Sequence, residues 1–367
     1  MNNKNNNKKY HYKFYYSIYR QVNLKLFIFI ALILVSLMLK KIFFIYKKKI
    51  GVIGLPHHQN IGNVLLKYSI FITLSKNGFE PYIIGRQFKK ANITVLKKLV
   101  NLRIISNFSE IKEKDYNILM VNSDQTWRKW NGDFYDVAFL KFAKNWRIHK
   151  FIYATSIGFK DWKFNKEDEK IAKNLLKNFT GISVREKSLS NLIKKHLGIK
   201  ADFVLDPTLL IDKKYYLKII ENYRSFPYIN EKFILTYKLK HNQLKKKMNS
   251  FINKAKGKLN LKIYNVNRHK NEYIEKFIYG INNCKAVITD SFHGTVFSII
   301  FNKPFITFKR KNDERLKSLS DLLEIKDRII DHEEEPDLSL LLKPLCINKQ
   351  RLNKMKLKSL HFIKNNL

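Results

Sequence analysis

Cysteine is scarce in this sequence: Cys284 and Cys346 are the only two among 367 residues. Two cysteines are too few for a disulfide framework, and these two lack the spacing of metal ligands. We therefore expect buried or incidental thiols in a reducing compartment. Glycine is also scarce, at 12 residues, so the glycine that directly follows a histidine within residues 288–305 calls for a physical explanation.

Acidic residues are also few: the chain has 30 aspartates and glutamates against 71 lysines and arginines, which gives a formal net charge of +41. Such an excess invites the hypothesis of nucleic-acid binding. The lysines, however, are scattered through every segment, without a basic stripe interleaved with aromatics, zinc spacing or a helix-turn-helix pattern. We interpret the charge as solvated faces, with attraction to anionic lipid or acidic polymers as a side effect and no specific nucleic-acid partner.

One long apolar run is present, "LFIFIALILVSLML" at 26–39, and "IFFIY" follows it after two lysines. A helix that spans a bilayer needs about 20 apolar residues. The sequence therefore predicts a single-pass membrane anchor at 26–46, after a disordered basic tail at 1–25. The alternatives are a buried helix of the folded domain and a cleaved signal peptide, which the lack of a small-residue cleavage site disfavours.

Strand and helix patterns alternate along the rest of the chain, from "IGVIGL" at 50–55 onward, and the same order restarts with "FILTYKL" at 233–239. At 45% hydrophobic residues the chain can form two cores. These patterns predict an α/β protein with two Rossmann-like domains facing a cleft, preceded by the hydrophobic helix. The predicted parts are an N-terminal domain at 50–212, a linker at 213–231, a C-terminal domain at 232–340 and a basic helix at 341–367.

The stretch "ITDSFHGTVFSIIFNKPF" at 288–305 predicts a strand, a polar loop, a helix and the start of another strand. Unpaired N–H groups at the start of a helix attract anions, so Gly294 and Thr295 could cradle a phosphate or carboxylate. His293 at the mouth of that turn is placed to be a general acid, although a lone histidine is often structural. Asp290 and Ser291 could orient the imidazole or simply cap the helix.

Three further polar groups follow predicted strands or open predicted helices. In "SVRE", Arg185 could place a guanidinium in the cleft with Glu186 fixing it, the alternative being a surface pair. Arg315 opens a helix, where a cation is unfavourable unless an anion lies nearby, so we expect an anion-binding role. "LDPT" at 205–208 is interpreted as a structural turn.

The residues of "NSDQTW" at 122–127 follow the apolar strand "ILMV". Ser123, Asp124 and Gln125 could hydrogen-bond to a polyol or activate a hydroxyl group. The alternative is ordinary turn chemistry.

Six segments taken together, in this order, resemble the polysaccharide pyruvyl transferase family: "NSDQTW", "YATSIG", "ISVRE", "LDPTLL", "TDSFHGTVFSIIFNKPF" and "NDERLKSLSDLL". The likeness covers roughly residues 50–330. It implies a two-domain fold like that of GT-B glycosyltransferases. It also implies phosphoenolpyruvate as the donor and a sugar of a cell-surface glycan, free or lipid-linked, as the acceptor.

The resemblance also implies roles for the candidate residues. Phosphoenolpyruvate carries a phosphate and a carboxylate, which cations and oriented N–H groups would bind. His293 is then the acid that protonates the methylene carbon, and Asp124 positions or deprotonates the acceptor hydroxyl. The donor ligands would be Arg185, Arg315, Gly294, Thr295 and Ser291, and the groups that contact or orient the acceptor would be Ser123, Gln125, Asp290 and Glu186. This scheme needs no metal and no cofactor besides the donor.

Ser291 and Phe292 stand where members of this family often carry arginine and leucine, so one anion contact must be missing or supplied elsewhere. The leading hypothesis is a membrane-anchored pyruvyl transferase with its catalytic domains in the cytosol, where the donor is made. The alternatives are a GT-B glycosyltransferase using a nucleotide sugar and a non-catalytic glycan- or nucleic-acid-binding relative.

Overall fold

The structure is a computed structural model, and it describes residues 26–36, 47–55, 60–86, 96–122, 124–130, 132–227, 231–239, 242–266, 272–331 and 334–367. The chain divides into two units, Met1–Lys48 and Lys49–Leu367. In the first unit the described residues at 26–36 form helix α1, whose side chains are mostly exposed. All strands described below belong to the second unit.

The prediction of a membrane anchor at 26–46 is wrong. None of the helices in the described ranges is both long and apolar enough to cross a membrane. Residues 37–46 and the predicted tail at 1–25 lie outside the described residues. The predicted localisation depended on the anchor and is withdrawn with it.

The first sheet has seven parallel strands in the order β3-β2-β1-β4-β5-β6-β7. They are β1 (Lys49–Ile53), β2 (Glu80–Arg86), β3 (Leu102–Ile105), β4 (Ile118–Val121), β5 (His149–Thr155), β6 (Gly181–Val184) and β7 (Asp202–Phe203). The helices that accompany them are α2 (Ile61–Lys76), α3 (96–99), α4 (Phe134–Phe139), α5 (Lys166–Leu176) and α6 (Lys187–Leu197). The strand order reverses between β1 and β4, which is where α/β sheets usually bind ligands.

The second sheet has five parallel strands in the order β12-β11-β10-β8-β9. They are β8 (Phe233–Tyr237), β9 (Lys262–Asn265), β10 (Ala286–Thr289), β11 (Phe305–Phe308) and β12 (Ile329–Ile330). Helix α7 (Lys213–Leu217) lies between the sheets in sequence, and α8 (Asn242–Leu259), α9 (Tyr273–Asn283), α10 (Phe292–Ile300), α11 (Glu314–Leu323) and α12 (Lys349–Asn365) follow. The order reverses between β8 and β10.

The central strands are continuous apolar runs because helices cover both faces of each sheet. "ILMV" in β4 and "AVIT" in β10 are buried at every position. One apolar core runs from the first sheet through α2, α9 and α10 to the second, and Phe362 and Ile363 of α12 join it. This confirms an α/β fold with two parallel sheets, whereas the exact domain boundaries stay a prediction.

Candidate active site

Five ionisable side chains from the loops and helices after the strands of both sheets converge in one buried cluster. All of them follow a strand at its carboxyl end: Asp124 after β4, Arg185 after β6, Asp206 after β7, His293 after β10 and Arg315 after β11. Each is less than a tenth exposed. Because all strands of a sheet are parallel, the residues after them gather at the carboxyl ends of the strands, and Asp124 and Arg315, 191 positions apart, join the two groups.

Asp124 lies between the two guanidinium groups. Arg315 Nη1 donates to both of its oxygens, at 2.9 Å to Oδ1 and 3.1 Å to Oδ2, and Arg185 Nη2 donates to Oδ1. Burial alone would raise the pKa of Asp124, but Arg315 and Arg185 outweigh burial and hold this pKa well below its usual range. The aspartate is therefore an anion held by two cations.

Asp206 is a member of the cluster that the sequence analysis missed. Its Oδ1 accepts from the Thr208 N–H at 2.9 Å, which is the capping role expected of the "LDPT" turn. Its Oδ2 also accepts from Arg185 Nη1. The interpretation as a structural turn was thus incomplete. A signal was present, since this aspartate follows β7 just as Arg185 follows the neighbouring strand β6.

Asp313 is the second missed member. It caps α11, accepting from the Leu316 N–H at 3.4 Å, and it binds Arg315 through two bonds, from Nε at 3.2 Å and Nη2 at 2.9 Å. The unfavourable position of Arg315 at a helix start is therefore relieved by carboxylates of this chain, namely Asp313 and Asp124. Asp313 also binds Arg310 Nη2, at 3.0 Å.

His293 lies in the first turn of α10, with Nε2 3.8 Å from Asp206 Oδ2. This Nε2 has no hydrogen-bond partner among the described groups. A Cβ placed on Gly62 of α2 would lie 2.0 Å from His293 Nδ1, so only glycine allows the helix to approach the ring this closely. Burial lowers the pKa of His293, and Asp206 and Asp124 oppose that shift. The imidazole is therefore neutral at neutral pH in this arrangement.

The ring of Phe292 borders both guanidinium groups. The Cζ atoms of Arg185 and Arg315 each lie 5.3 Å from its centroid. Contacts of this kind attract cations to the ring by about 0.5 to 2 kcal/mol. The aromatic ring thus helps to hold two like charges side by side.

A family model described as polysaccharide pyruvyl transferase matches residues 60–312, about two thirds of the chain. The chain belongs to the polysaccharide pyruvyl transferase family. The matched segment contains Asp124, Arg185, Asp206 and His293, and it ends just before Arg315. The sequence has no match among curated proteins.

Two solved structures similar to this pyruvyl transferase family member are distant from it in sequence. A UDP-GlcNAc 2-epimerase from Methanocaldococcus jannaschii has a TM-score of 0.51 at 16% identity, over 84% of this chain and 92% of the epimerase. UGT89C1 of Arabidopsis thaliana, solved with UDP-L-rhamnose, also has a TM-score of 0.51, at 9% identity, over 88% of this chain and 100% of that protein. At such identities the likeness establishes the GT-B-like fold alone.

In the histidine-glycine turn at 291–295, the polar groups proposed to bind the donor form hydrogen bonds within the chain. The Gly294 N–H donates to Ser291 Oγ at 3.3 Å, and Thr295 Oγ1 lies 2.7 Å from Thr307 Oγ1. A Cβ on Gly294 would lie 2.3 Å from Thr289 Oγ1, so the glycine after the histidine lets α10 pack directly on β10. The capping role of Ser291 is confirmed. The assignment of Ser291, Gly294 and Thr295 to donor binding stays a prediction.

Two predicted site residues, Glu186 and Asp290, are buried carboxyl groups outside the ion pairs of the cluster. Glu186 was expected to fix Arg185, but the structure corrects this, because Glu186 Oε1 accepts from the Ser156 hydroxyl instead. No described group bonds to Glu186 Oε2. Burial raises the pKa of Glu186 to about 7 and that of Asp290 to about 6. Asp290 Oδ1 accepts from the Leu239 N–H at 2.6 Å rather than from His293.

The remaining predicted acceptor contacts lie next to Asp124. Ser123 lies outside the described residues. Gln125 has a φ of 49°, and its side chain occupies the space that a Cβ on Gly158 would need. Its Oε1 lies 3.5 Å from Arg128 Nη1. The structure thus places Gln125 in a left-handed turn beside the cluster, and its contact with an acceptor stays a prediction.

Proposed function

We propose that this protein transfers a pyruvyl group from phosphoenolpyruvate to a sugar of a cell-surface glycan and forms a ketal. The observation that carries this proposal is the convergence of Arg185, Arg315 and His293 at one point, in a member of the pyruvyl transferase family. Two guanidinium groups suit an anionic donor, because arginine binds carboxylates and phosphates through paired hydrogen bonds.

His293 supplies the proton in the proposed reaction. Protonation of the methylene carbon turns it into a methyl group and leaves C2 of the donor electrophilic. A hydroxyl oxygen of the acceptor bonds to C2 and releases its proton to Asp124. A second hydroxyl then bonds to C2 as the C2–oxygen bond to phosphate breaks, and its proton leaves with the phosphate.

The protonation state of His293 couples this chemistry to donor binding. Burial keeps the imidazole neutral in the arrangement described above. A bound donor brings several negative charges, and a nearby anion raises the pKa of a histidine. His293 is therefore protonated when the donor is bound.

The acceptor side of the proposal rests on the loop after β4 and its neighbours. Asp124 would contact the reacting hydroxyl, and the surrounding hydrogen bonds would come from Ser123, Gln125, Asp290 and Glu186. The acceptor is a glycan or a lipid-linked sugar.

The test uses the full-length purified chain with phosphoenolpyruvate and a mixture of oligosaccharide acceptors. We expect acceptor-dependent phosphate release and a mass gain on the acceptor equal to one pyruvyl ketal, both lost in His293→Ala. Release of nucleotide from a UDP-sugar, without turnover of phosphoenolpyruvate, would instead assign a GT-B glycosyltransferase. Turnover of neither donor, with salt-dependent binding to nucleic acid that His293→Ala leaves unchanged, would assign a non-catalytic relative.

A further inference from the structure

The two arginines assigned to the donor are already engaged by carboxylates of the chain. Arg185 binds Asp206 and Asp124, and Arg315 binds Asp124 and Asp313. Asp313 also binds Arg310, so three carboxylates face three guanidinium groups, and the cluster has no spare positive charge. An anionic donor can enter the cluster only if it replaces one of these carboxylates.

Of the three carboxylates, Asp124 is the one for which no hydrogen bond is described besides those from the two arginines. Asp206 is also bound by the Thr208 N–H, and Asp313 by the Leu316 N–H. The hydrogen bonds described for Asp124 all come from the two arginines. Its side chain is 10% exposed, against 1% for Asp206 and 3% for Asp313, so it is also the one that solvent reaches.

The bonds to Asp124 outline the shape of the group that the site accepts. Arg315 Nη1 spans both carboxylate oxygens at 2.9 and 3.1 Å, while Arg185 approaches Oδ1 and the Phe292 ring borders both guanidinium groups. The group that occupies this space in the structure is the planar carboxylate of Asp124, so another carboxylate can take its place with the same hydrogen bonds.

We propose that the space between Arg185 and Arg315 is the subsite for the donor's carboxylate, and that Asp124 fills it until the donor arrives. This proposal rests on the proposed function. The exchange replaces one set of ion pairs by another and involves no covalent step. It also frees the Asp124 carboxylate, which then faces the acceptor hydroxyl. Donor binding and acceptor activation are thereby linked through one side chain.

The test compares the full-length chain with Asp124→Asn, which keeps the side-chain shape and removes the competing charge. Binding of phosphoenolpyruvate, pyruvate and inorganic phosphate is measured by titration calorimetry. We expect affinity gains of at least about tenfold for phosphoenolpyruvate and pyruvate, because a charge-assisted contact no longer has to be displaced, and a smaller gain for phosphate. Unchanged or weaker binding of pyruvate would overturn the proposal, since Asp124 would then serve only to hold the arginines.

Asp313→Asn is the matched control, because it removes a carboxylate from the same Arg315 without emptying the proposed subsite. It should show no gain for pyruvate, and an equal gain would overturn the proposal. If Asp124→Asn does not fold, as judged by circular dichroism, Asp124→Ser takes its place. A gain in pyruvate affinity in Asp124→Asn, with no turnover of phosphoenolpyruvate by the wild-type chain, would support the subsite and reject pyruvyl transfer. Turnover by the wild-type chain without that gain would support pyruvyl transfer and overturn the subsite.

Discussion

At the scale of single residues, the site depends on side chains that are small or absent as much as on charged ones. Gly62 has no side chain where a Cβ would lie 2.0 Å from His293 Nδ1, and Gly294 has none where it would meet Thr289. Gly62 of α2 lies against the imidazole itself, and Gly294 lets α10, which carries the histidine, pack on β10. The position of the imidazole is thus set by backbone contact, which leaves it little freedom to move.

Substituting Gly62 by alanine should displace either α2 or the imidazole. Overpacking of this kind costs about 1 to 3 kcal/mol of unfolding free energy, and we expect a loss of turnover of at least about tenfold besides. Urea denaturation and acceptor-dependent phosphate release measure the two effects. Gly257→Ala in α8 is the control, because a Cβ there meets nothing within 4 Å and should stabilise the helix by about 0.5 to 1 kcal/mol. Equal behaviour of the two variants would contradict the proposed contact.

Glu186 gives the stability of the protein a specific dependence on pH. Its pKa is raised from 4.5 to about 7 by burial, so the folded chain keeps a proton that the unfolded chain releases. The stabilising effect is complete below about pH 4.5 and is lost as the pH rises through about 7. Relative to Glu186→Gln, the wild-type chain should lose up to about 3 kcal/mol of unfolding free energy across that range. Urea denaturation of both proteins at several pH values measures the difference, and a flat difference would show that Glu186 is ionised in the fold.

At the scale of helices and strands, the local patterns of the sequence were informative. The stretch at 288–305 was predicted as strand, loop and helix, and the structure has β10, the loop and α10 there. The predicted C-terminal helix corresponds to α12. Hydrophobic periodicity suffices for such elements because each depends mainly on which of its faces is buried.

The pairing of charges could not be read from the same patterns. Asp206 lies 21 residues from Arg185, and Asp124 lies 191 residues from Arg315. Those contacts depend on the order of the strands, which local periodicity does not specify. Asp313 was missed for another reason, because a helix cap explains it fully without reference to any site.

Helix α12, the last in sequence, packs against the part of the chain that forms the first sheet. Phe362 lies in the central core, and Ser359 Oγ accepts from the Leu205 N–H at 2.9 Å, next to the turn that holds Asp206. We expect Phe362→Ala to lower the unfolding free energy by about 3 to 5 kcal/mol. Leu357→Ala on the same helix, at a side chain that is 70% exposed, should change it by less than about 0.5 kcal/mol. Similar values for both in urea denaturation would mean that α12 is not packed as described.

At the scale of the whole molecule, residues that follow the carboxyl ends of strands in both parallel sheets are in contact, which explains why one site contains residues of both. The sequence predicted two Rossmann-like parts, and the parallel sheets and GT-B-like neighbours confirm the fold at that level. The membrane anchor was the main error, since the part of the chain that the structure describes contains no helix that is both long and apolar enough to span a bilayer.

The bond between Asp313 and Arg310 extends the cluster into a row of alternating signs: Asp206, Arg185, Asp124, Arg315, Asp313 and Arg310. In such a row every inner charge separates two neighbours that would repel each other. Neutralising Asp124 therefore leaves the guanidinium group of Arg185, from the first sheet, facing that of Arg315, from the second, with no anion between them. Such a chain would lack the ion pairs that Asp124 forms with both arginines, and a small anion from solution, bound between Arg185 and Arg315, would restore them.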